Sequence, residues 1–450
     1  MLKSRLCIAF FAFAVGCAPA QKPLTDYVNP MLGTATLWDS VDLGFKPTKR
    51  TWGAEVFPGS SLPNAMVQVS PVTKFHSGAG YQYEDSVIYG FTHTNKGHWN
   101  LCHIPLLPVT GTPTPGDYCS PFSHERESAA PGYYQVFLDR YGVDAQLSST
   151  LRCAFHKYTY PAGAAASLLA DLQRSNEHVR AWDIRKEGDN VFAGWQQTGE
   201  KMYFYAVANR PVTGIEPVVE GDREVRIVRF GEGDGALELR IGFSFVSEKN
   251  ARENLEAEML GKSFAEVRSE ATATWNDLLG RIRVEGGTER EKGLFYSSLY
   301  RSFLWPALRS DVNGEFTDVD GKVINPGFRY YTGPSYWDDY RNKLILLGML
   351  APDVAADVIS SDTDKGEKRG GSMPTFFHGD HASAFVAGTY LRGNRGFDVN
   401  RAYNLVLRNA TVQGPSRPWL DEYIAKGYIS EMDVENPVTC LLYTSPSPRD

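Results

Sequence analysis

Cysteine is scarce in this chain, with six among 450 residues, and no two stand in the Cys-x-x-Cys spacing of a thiolate zinc site. Cys7 and Cys17 fall in an N-terminal signal and Cys440 in an atypical tail, which leaves Cys102, Cys119 and Cys153. Three cysteines permit one disulfide at most, which excludes a disulfide-stapled scaffold. A basic surplus is also missing. Lys and Arg number 46 against 53 Asp and Glu, a formal net charge of −7, so the chain carries no electrostatic footprint for nucleic acid. No nucleophile elbow, phosphate loop or dinucleotide fingerprint occurs. The glycines of "GEGDG" and "RGG" read as turns and do not precede helices. The one long apolar run, "LCIAFFAFAV", is too short to span a bilayer.

With Lys3 and Arg5 ahead of it, that run marks residues 1–20 as an export signal. Two cleavage sites compete. "AVGC", ending at Cys17, resembles a bacterial lipobox and would leave Cys17 lipidated; "APA", ending at Ala20, suits a conventional signal peptidase. The lipobox is favoured, which predicts a cell-envelope protein, outer-membrane lipoprotein or periplasmic, that touches a membrane through its lipid alone.

What remains has a globular composition, 42% hydrophobic and 22% charged, and length enough for two or three domains. Aromatics reach 12%, with nine Trp and 23 Tyr, which suits large β cores or surfaces that stack on sugar rings. Residues 21–250 read as an antiparallel β-sandwich. Leu237, Leu239, Ile241, Phe243 and Phe245 alternate with other residues, and the "GEGDG" loop predicts a hairpin back to "VRIVRF". Val136, Leu138, Val143, Ala145, Leu147, Cys153 and Phe155 repeat the alternation.

Beyond residue 250 the period becomes helical. Leu255, Met259, Leu260, Phe264, Val267, Ala271, Trp275 and Leu278 predict a helical linker over 251–287, broken near Gly261. A helical domain follows over 288–439. "TERE" forms a capping box at Thr288 and Glu291. It opens a helix that Pro306 stops, and "DDYRNKLILLGML", "HASAFVAGTYLRG", "VNRAYNLVLRNATVQG" and "WLDEYIAKG" supply more, with Gly393, Gly414 and Gly427 at C′ positions. Helices in series suggest a bundle or an α/α toroid.

Seven ordered motifs resemble glycoside hydrolase family 92, the calcium-dependent exo-α-mannosidases. They are "DYVNPMLGT" (26–34), "FPGSSLPNAMVQVSP" (57–71), "AGYQYEDSVIYGFTHT" (79–94), "SPFSHERESAAPGYYQVFLDRYGVDAQLSST" (120–150), "FVSEKNARENLEAE" (245–258), "FYSSLYRSFLWP" (295–306) and "YYTGPSYWDDYR" (330–341). The resemblance implies a β-sandwich, a helical linker and an (α/α)6 barrel, acting by inversion on mannose-containing glycans with Ca²⁺ holding the terminal mannose. "THTNKGHWN" (92–100) and "GPSYWDDYRNK" (333–343) depart from the family pattern and point to a divergent subgroup.

Inversion needs two carboxyl groups roughly 6.5–9.5 Å apart. Adjacent residues diverge on a helix, so of Asp338 and Asp339 only one is expected to face a site. By resemblance that one is Asp338, the family's sugar-binding aspartate; the plain alternative is a helix cap. Trp337 offers a ring face to a pyranose or a core side chain. Arg341, three residues on, can orient Asp338 through an ion pair or form an ordinary surface pair. His378 and His381 have the spacing of a helical metal pair, but Gly379 argues against one. His381 is then a sugar-hydroxyl partner or a structural residue at a helix start. His93, His98 and His103 read as surface loop histidines. The rivals to a mannosidase are a non-catalytic carbohydrate-binding lipoprotein and a different toroid glycosidase or lyase.

The final residues, "CLLYTSPSPRD", do not read as a domain end. Pro/Ser-rich ends are ordinarily disordered. This one, back-translated, resembles library-adapter DNA, so the natural chain is expected to continue past Thr439. By resemblance the catalytic acid, the base and much of the calcium site correspond to sequence beyond that point. The barrel is then incomplete and this chain inactive alone. Glu431, Asp433 and Glu435 match none of those motifs.

The signal makes one prediction. Labelling cells with a fatty-acid analogue should mark the protein and fail to mark Cys17→Ala; equal labelling of the two would contradict the lipobox.

Overall fold

Strand alternation, followed by helices with explicit caps, places two sheets and then a run of helices along the chain. The computed structural model describes residues 22–36, 56–94, 101–374, 380–414, 417 and 419–429. The calls on Cys17, His98, His378, Glu431, Asp433 and Glu435 lie outside them.

One sheet has eight strands, ordered Ala181–Gly188, Val191–Gln197, Lys201–Ala208, Leu237–Ser244, Cys153–Thr159, Val143–Ser149, Tyr133–Leu138 and Glu127–Ala130. The other has seven, from Ser60–Ser61 at one edge to Arg223–Phe230 and Val212–Glu220 at the other. The pairings are antiparallel, as the alternating pattern predicts. Leu237, Leu239, Ile241 and Phe243 are fully buried, with Phe192, Phe204, Leu147, Leu168 and Ile227 in the same core.

The predicted hairpin across "GEGDG" does not form. Arg223–Phe230 pairs in the seven-stranded sheet and Leu237–Ser244 in the eight-stranded one, so this loop crosses between sheets. Alternation states which face a strand buries and leaves its neighbour open. Cys102, Cys119 and Cys153 are free thiols.

The helices are α1 (Glu248–Glu258), α2 (Phe264–Leu279), α3 (Glu289–Ser302), α4 (Tyr336–Asp339), α5 (Lys343–Leu350), α6 (Pro352–Lys368), α7 (His381–Leu391), α8 (Val399–Thr411) and α9 (Leu420–Lys426). Gly261 takes φ +93° in the break between α1 and α2, a conformation glycine adopts without penalty. The Thr288 and Glu291 capping box forms in full, and a second, Ser263 with Glu266, opens α2. Gly427 closes α9 at φ +76°, whereas α8 ends at Val412 in extended backbone, ahead of Gly414. "DDYRNKLILLGML" is two helices, because the backbone turns out at Asn342 (φ −135°). Helix α6 has a mixed buried surface: Ala355, Ala356, Val358 and Ile359 are buried in its first half, and Ser361, Asp362, Thr363 and Asp364 in its second. Among the described residues no single helix is long and apolar enough to cross a membrane.

Sandwich and helices share one lock. The Asp311 carboxylate is buried and accepts hydrogen bonds from Ser244 Oγ at 2.6 Å, Asn254 Nδ2 at 2.7 Å and Asn250 Nδ2 at 2.9 Å. Ser244 ends a sandwich strand, and Asn250 and Asn254 stand four apart on one face of α1. Arg152 adds Nη1 to Glu258 at 2.6 Å and Nε to the Ser310 carbonyl at 2.8 Å. Trp275 of α2 donates Nε1 to the Ser61 carbonyl at 2.7 Å and packs on Tyr300 of α3.

Burial pushes the Asp311 carboxyl up to about 6, against the pull of its three donors. The folded state therefore holds its proton in a range, about pH 4 to 6, where the unfolded chain has lost it. Asp311→Ala should cost on the order of 3 kcal/mol by stranding buried donors. In urea titrations, wild type should lose stability relative to Asp311→Asn as the pH rises from about 4 to about 6, then hold constant. A pH-independent difference would contradict this reading.

Candidate functional site

Between sandwich and helices lies a cleft of about 1110 Å³. Its sandwich side is the turn between the strands Val191–Gln197 and Lys201–Ala208, contributing Gln197, Glu200 and Lys201, together with Tyr203 and Phe245. Its helical side is built from residues 304–339 and from α6, including Arg309, Tyr330, Asp338 and Asp362. Aromatic walls with scattered polar groups are the make-up of a carbohydrate pocket.

A buried histidine fixes the sandwich-side turn. His103 Nδ1 meets Thr94 Oγ1 at 2.9 Å and its Nε2 meets Thr198 Oγ1 at 2.8 Å, one residue from Gln197 and Gly199 of the wall. The His103 ring, 3.8 Å away, and the Thr198 hydroxyl, which donates to it, hold the Glu177 carboxyl down at about 2. Cys102 and Ile104, on either side of His103, both take φ +53°. Such a backbone costs roughly 1–3 kcal/mol per residue and persists where surrounding contacts over-determine it. The expectation of surface histidines is thus corrected. His93 and His103 are fully buried, because the chain on either side of their loop enters the seven-stranded sheet. His93 Nε2 lies 3.0 Å from His156 Nε2, and burial lowers both rings' proton affinity.

On the helical side, the polar surface of α6 points into this network. Asp362 accepts from the Tyr336 hydroxyl and from Lys365 Nζ at 3.0 Å; Lys365 also reaches the Tyr331 carbonyl at 3.0 Å. Ser361 Oγ accepts from the Tyr331 amide at 3.0 Å. Lys368 bridges Asp364 and Asp318. These Ser and Asp positions face polar loops, so the apolar period set by Ala355, Ala356, Val358 and Ile359 stops halfway along the helix.

Asp338 and Asp339 both line the cleft, contrary to the expectation that only one could. Helix α4 is a single turn, and Tyr336, Asp338 and Asp339 all contribute to the wall, so 100° of rotation between neighbours does not take either out of it. The two differ in environment. Asp339 is buried, bound to Lys343 Nζ at 3.1 Å, and burial raises its carboxyl above the usual range. Asp338 is exposed and accepts only from Ser335 Oγ, the side chain at the N-cap. Arg341 does not pair with Asp338; its Nε donates to the Tyr340 hydroxyl at 2.9 Å. His381 is buried at the start of α7 and stacks on Tyr340 with ring centroids 4.0 Å apart. Trp337 is 40% exposed and is not a core side chain. Trp337, Arg341 and His381 all stand outside the cleft lining, so of the four sequence candidates the structure brings only Asp338 to the cleft.

Calcium takes six to eight oxygen ligands. Among the described residues no three His, Cys, Asp or Glu side chains converge as a metal cluster. The cleft acids Asp318, Asp339 and Asp362 are each bound to a lysine. The described residues do not fit a calcium site.

Residues 27–253 match the glycosyl hydrolase family 92 N-terminal domain and residues 250–442 match the glycosyl hydrolase family 92 catalytic domain. A family 92 α-mannosidase from Bacteroides thetaiotaomicron superimposes with a TM-score of 0.84 at 25% identity, over 94% of this chain and 61% of its own. An inverting family 92 mannosidase from the same organism gives 0.80 at 24% identity, over 92% and 60%. An uncharacterized secreted glycosidase of Arthroderma benhamiae is 24% identical over 91% of this chain and 56% of its own length. The chain therefore spans about three fifths of the proteins it matches. With both domain models satisfied in order along nearly the whole chain, it belongs to glycoside hydrolase family 92.

Proposed function

We propose that the interdomain cleft is the glycan site of an exported, inverting α-mannosidase, and that Asp338 binds hydroxyls of the terminal mannose. The observation that carries this is Asp338 itself. It is a carboxylate on the cleft wall with no cationic partner among the described residues, at the position where the resemblance puts the family's sugar-binding aspartate. The Bacteroides thetaiotaomicron α-mannosidase has also been solved with mannoimidazole, at the same TM-score of 0.84, which supports a mannose-shaped ligand for the shared fold. The secreted relative supports export.

The acid and base are assigned outside the described residues. Asp318, Asp339 and Asp362 are tied to lysines, and Glu200 stands 3.6 Å from Arg309, so this reading gives none of them the acid or base role. Calcium, in this reading, likewise draws its ligands from outside them. The family's inversion then assigns Asp338 a binding role and leaves proton transfer to other groups.

Losing a charge-assisted hydrogen bond to a sugar hydroxyl costs about 1.5–3 kcal/mol, a roughly ten- to hundredfold weaker complex. Titration calorimetry with methyl α-mannoside should show that loss in Asp338→Ala at an unchanged melting temperature, since Asp338 is exposed and holds only Ser335. Equal affinity in the variant would remove Asp338 from the site; no binding in either protein would remove the mannoside reading.

A further inference from the structure

We propose that Arg309 makes this cleft selective for acidic glycans, by binding an oxyanion substituent (a carboxylate, or a sulfate or phosphate ester) on the sugar seated there. The proposal deepens the mannoside reading above and rests on it.

Arg309 is 9% exposed and lines the cleft. A guanidinium taken out of water is costly unless carboxylates or carbonyls receive its donors. The chain shows what satisfaction looks like at Arg152, equally buried, which holds Glu258 at 2.6 Å and donates to the carbonyls of Ser310 and Asp311. Among the described residues Arg309 has nothing comparable. Its Nε is buried without an acceptor, and its nearest carboxylate is Glu200, 3.6 Å from Nη2, beyond a hydrogen bond, with a side chain 60% exposed. Its guanidinium otherwise lies over the Phe245 ring, 4.3 Å from the centroid. Glu177 also acts on it through space, but that carboxylate is committed to Thr198 and His103.

The neighbourhood has the same sign. Lys201 follows Glu200 in the wall and forms no ion pair among the described residues; its Nζ rests 3.6 Å above the Trp195 ring and 5.0 Å from that of Tyr203. In a chain of net charge −7, the cleft lining carries six basic and five acidic side chains. Asp338, Asp339 and Asp362 belong to α4 and α6 and Asp318 is held by Lys368, whereas Arg309 and Lys201 flank Glu200. An incoming oxyanion offers Arg309 the paired acceptors it lacks. Glu200, exposed and loosely held, then swings into solvent. It is the occupant that the ligand displaces.

Opposed variants test this on the full chain at low salt. Titration calorimetry would compare mannose, mannose 6-sulfate, mannose 6-phosphate and glucuronate. The acidic sugars should bind roughly tenfold tighter than mannose, with a preference that shrinks as salt is added; the ester and uronate arms decide which oxyanion fits. Arg309→Gln should bring the acidic-to-neutral ratio to about one. Glu200→Gln, at an exposed position that folding tolerates, should raise acidic-sugar affinity several-fold by removing the competitor. Equal binding of acidic and neutral sugars to wild type, a preference that survives Arg309→Gln, or weaker acidic binding in Glu200→Gln would each overturn the proposal. Mannose binding with no acidic preference strikes this inference alone. Acidic sugars that bind where mannose does not strike the mannoside reading alone, and silence from every sugar strikes both.

Discussion

Asp311 is the carboxylate on which the arrangement of the two domains depends. Three donors, from the last strand of the sandwich and from two successive turns of α1, converge on it, and Arg152 closes the same junction through Glu258 and Ser310. A buried carboxylate with three directional partners fixes orientation more sharply than apolar packing does, since displacing any partner strands a buried donor. The cleft follows from this. Phe245 and Glu200 on the sandwich side, and Arg309 and Tyr330 on the helical side, form one wall only while Ser244 and Asp311 stay together.

That constraint also places strain where it is used. His103 sits between two residues in left-handed backbone and reaches Thr198 beside the cleft turn, so the position of Glu200 and Lys201 is set from within the sandwich core. On the helical side, Lys365 and Lys368 tie the α6 acids to Tyr331 and Asp318. Both walls are thus braced by polar networks, which hold a binding surface in one shape. Against that background, the proposed ligand would meet Asp338 with no ion-pair partner and Arg309 with no carboxylate in hydrogen-bond reach among the described residues.

Much of the architecture was legible in the sequence. The alternation of Leu237, Leu239, Ile241 and Phe243 gave the buried face, and the Thr288 capping box, Gly261 and Gly427 marked helix boundaries where the structure has them. What was not legible depends on distant neighbours. Alternation cannot tell a hairpin from a crossing between sheets, so the strand before "GEGDG" was given the wrong partner. Helix α6 hides because its apolar buried residues stop at Ile359, and Ser361, Asp362, Thr363 and Asp364 continue its buried side into the cleft network. His93 and His103 looked like loop residues because burial is decided by the sheet they return to. Asp338 was found through a motif; Arg309, one cation in "WPALRSD", carries no local signal that its guanidinium lacks an acceptor.

The central claim is that one ligand is gripped by both walls of the cleft. Hydrogen-exchange mass spectrometry with saturating methyl α-mannoside tests it most directly. The account predicts slower exchange both in the turn at residues 197–203 and in the segment 330–343, with the strands Cys153–Thr159 and Val143–Ser149 unchanged. Protection confined to one wall, or falling only elsewhere in the chain, would contradict it.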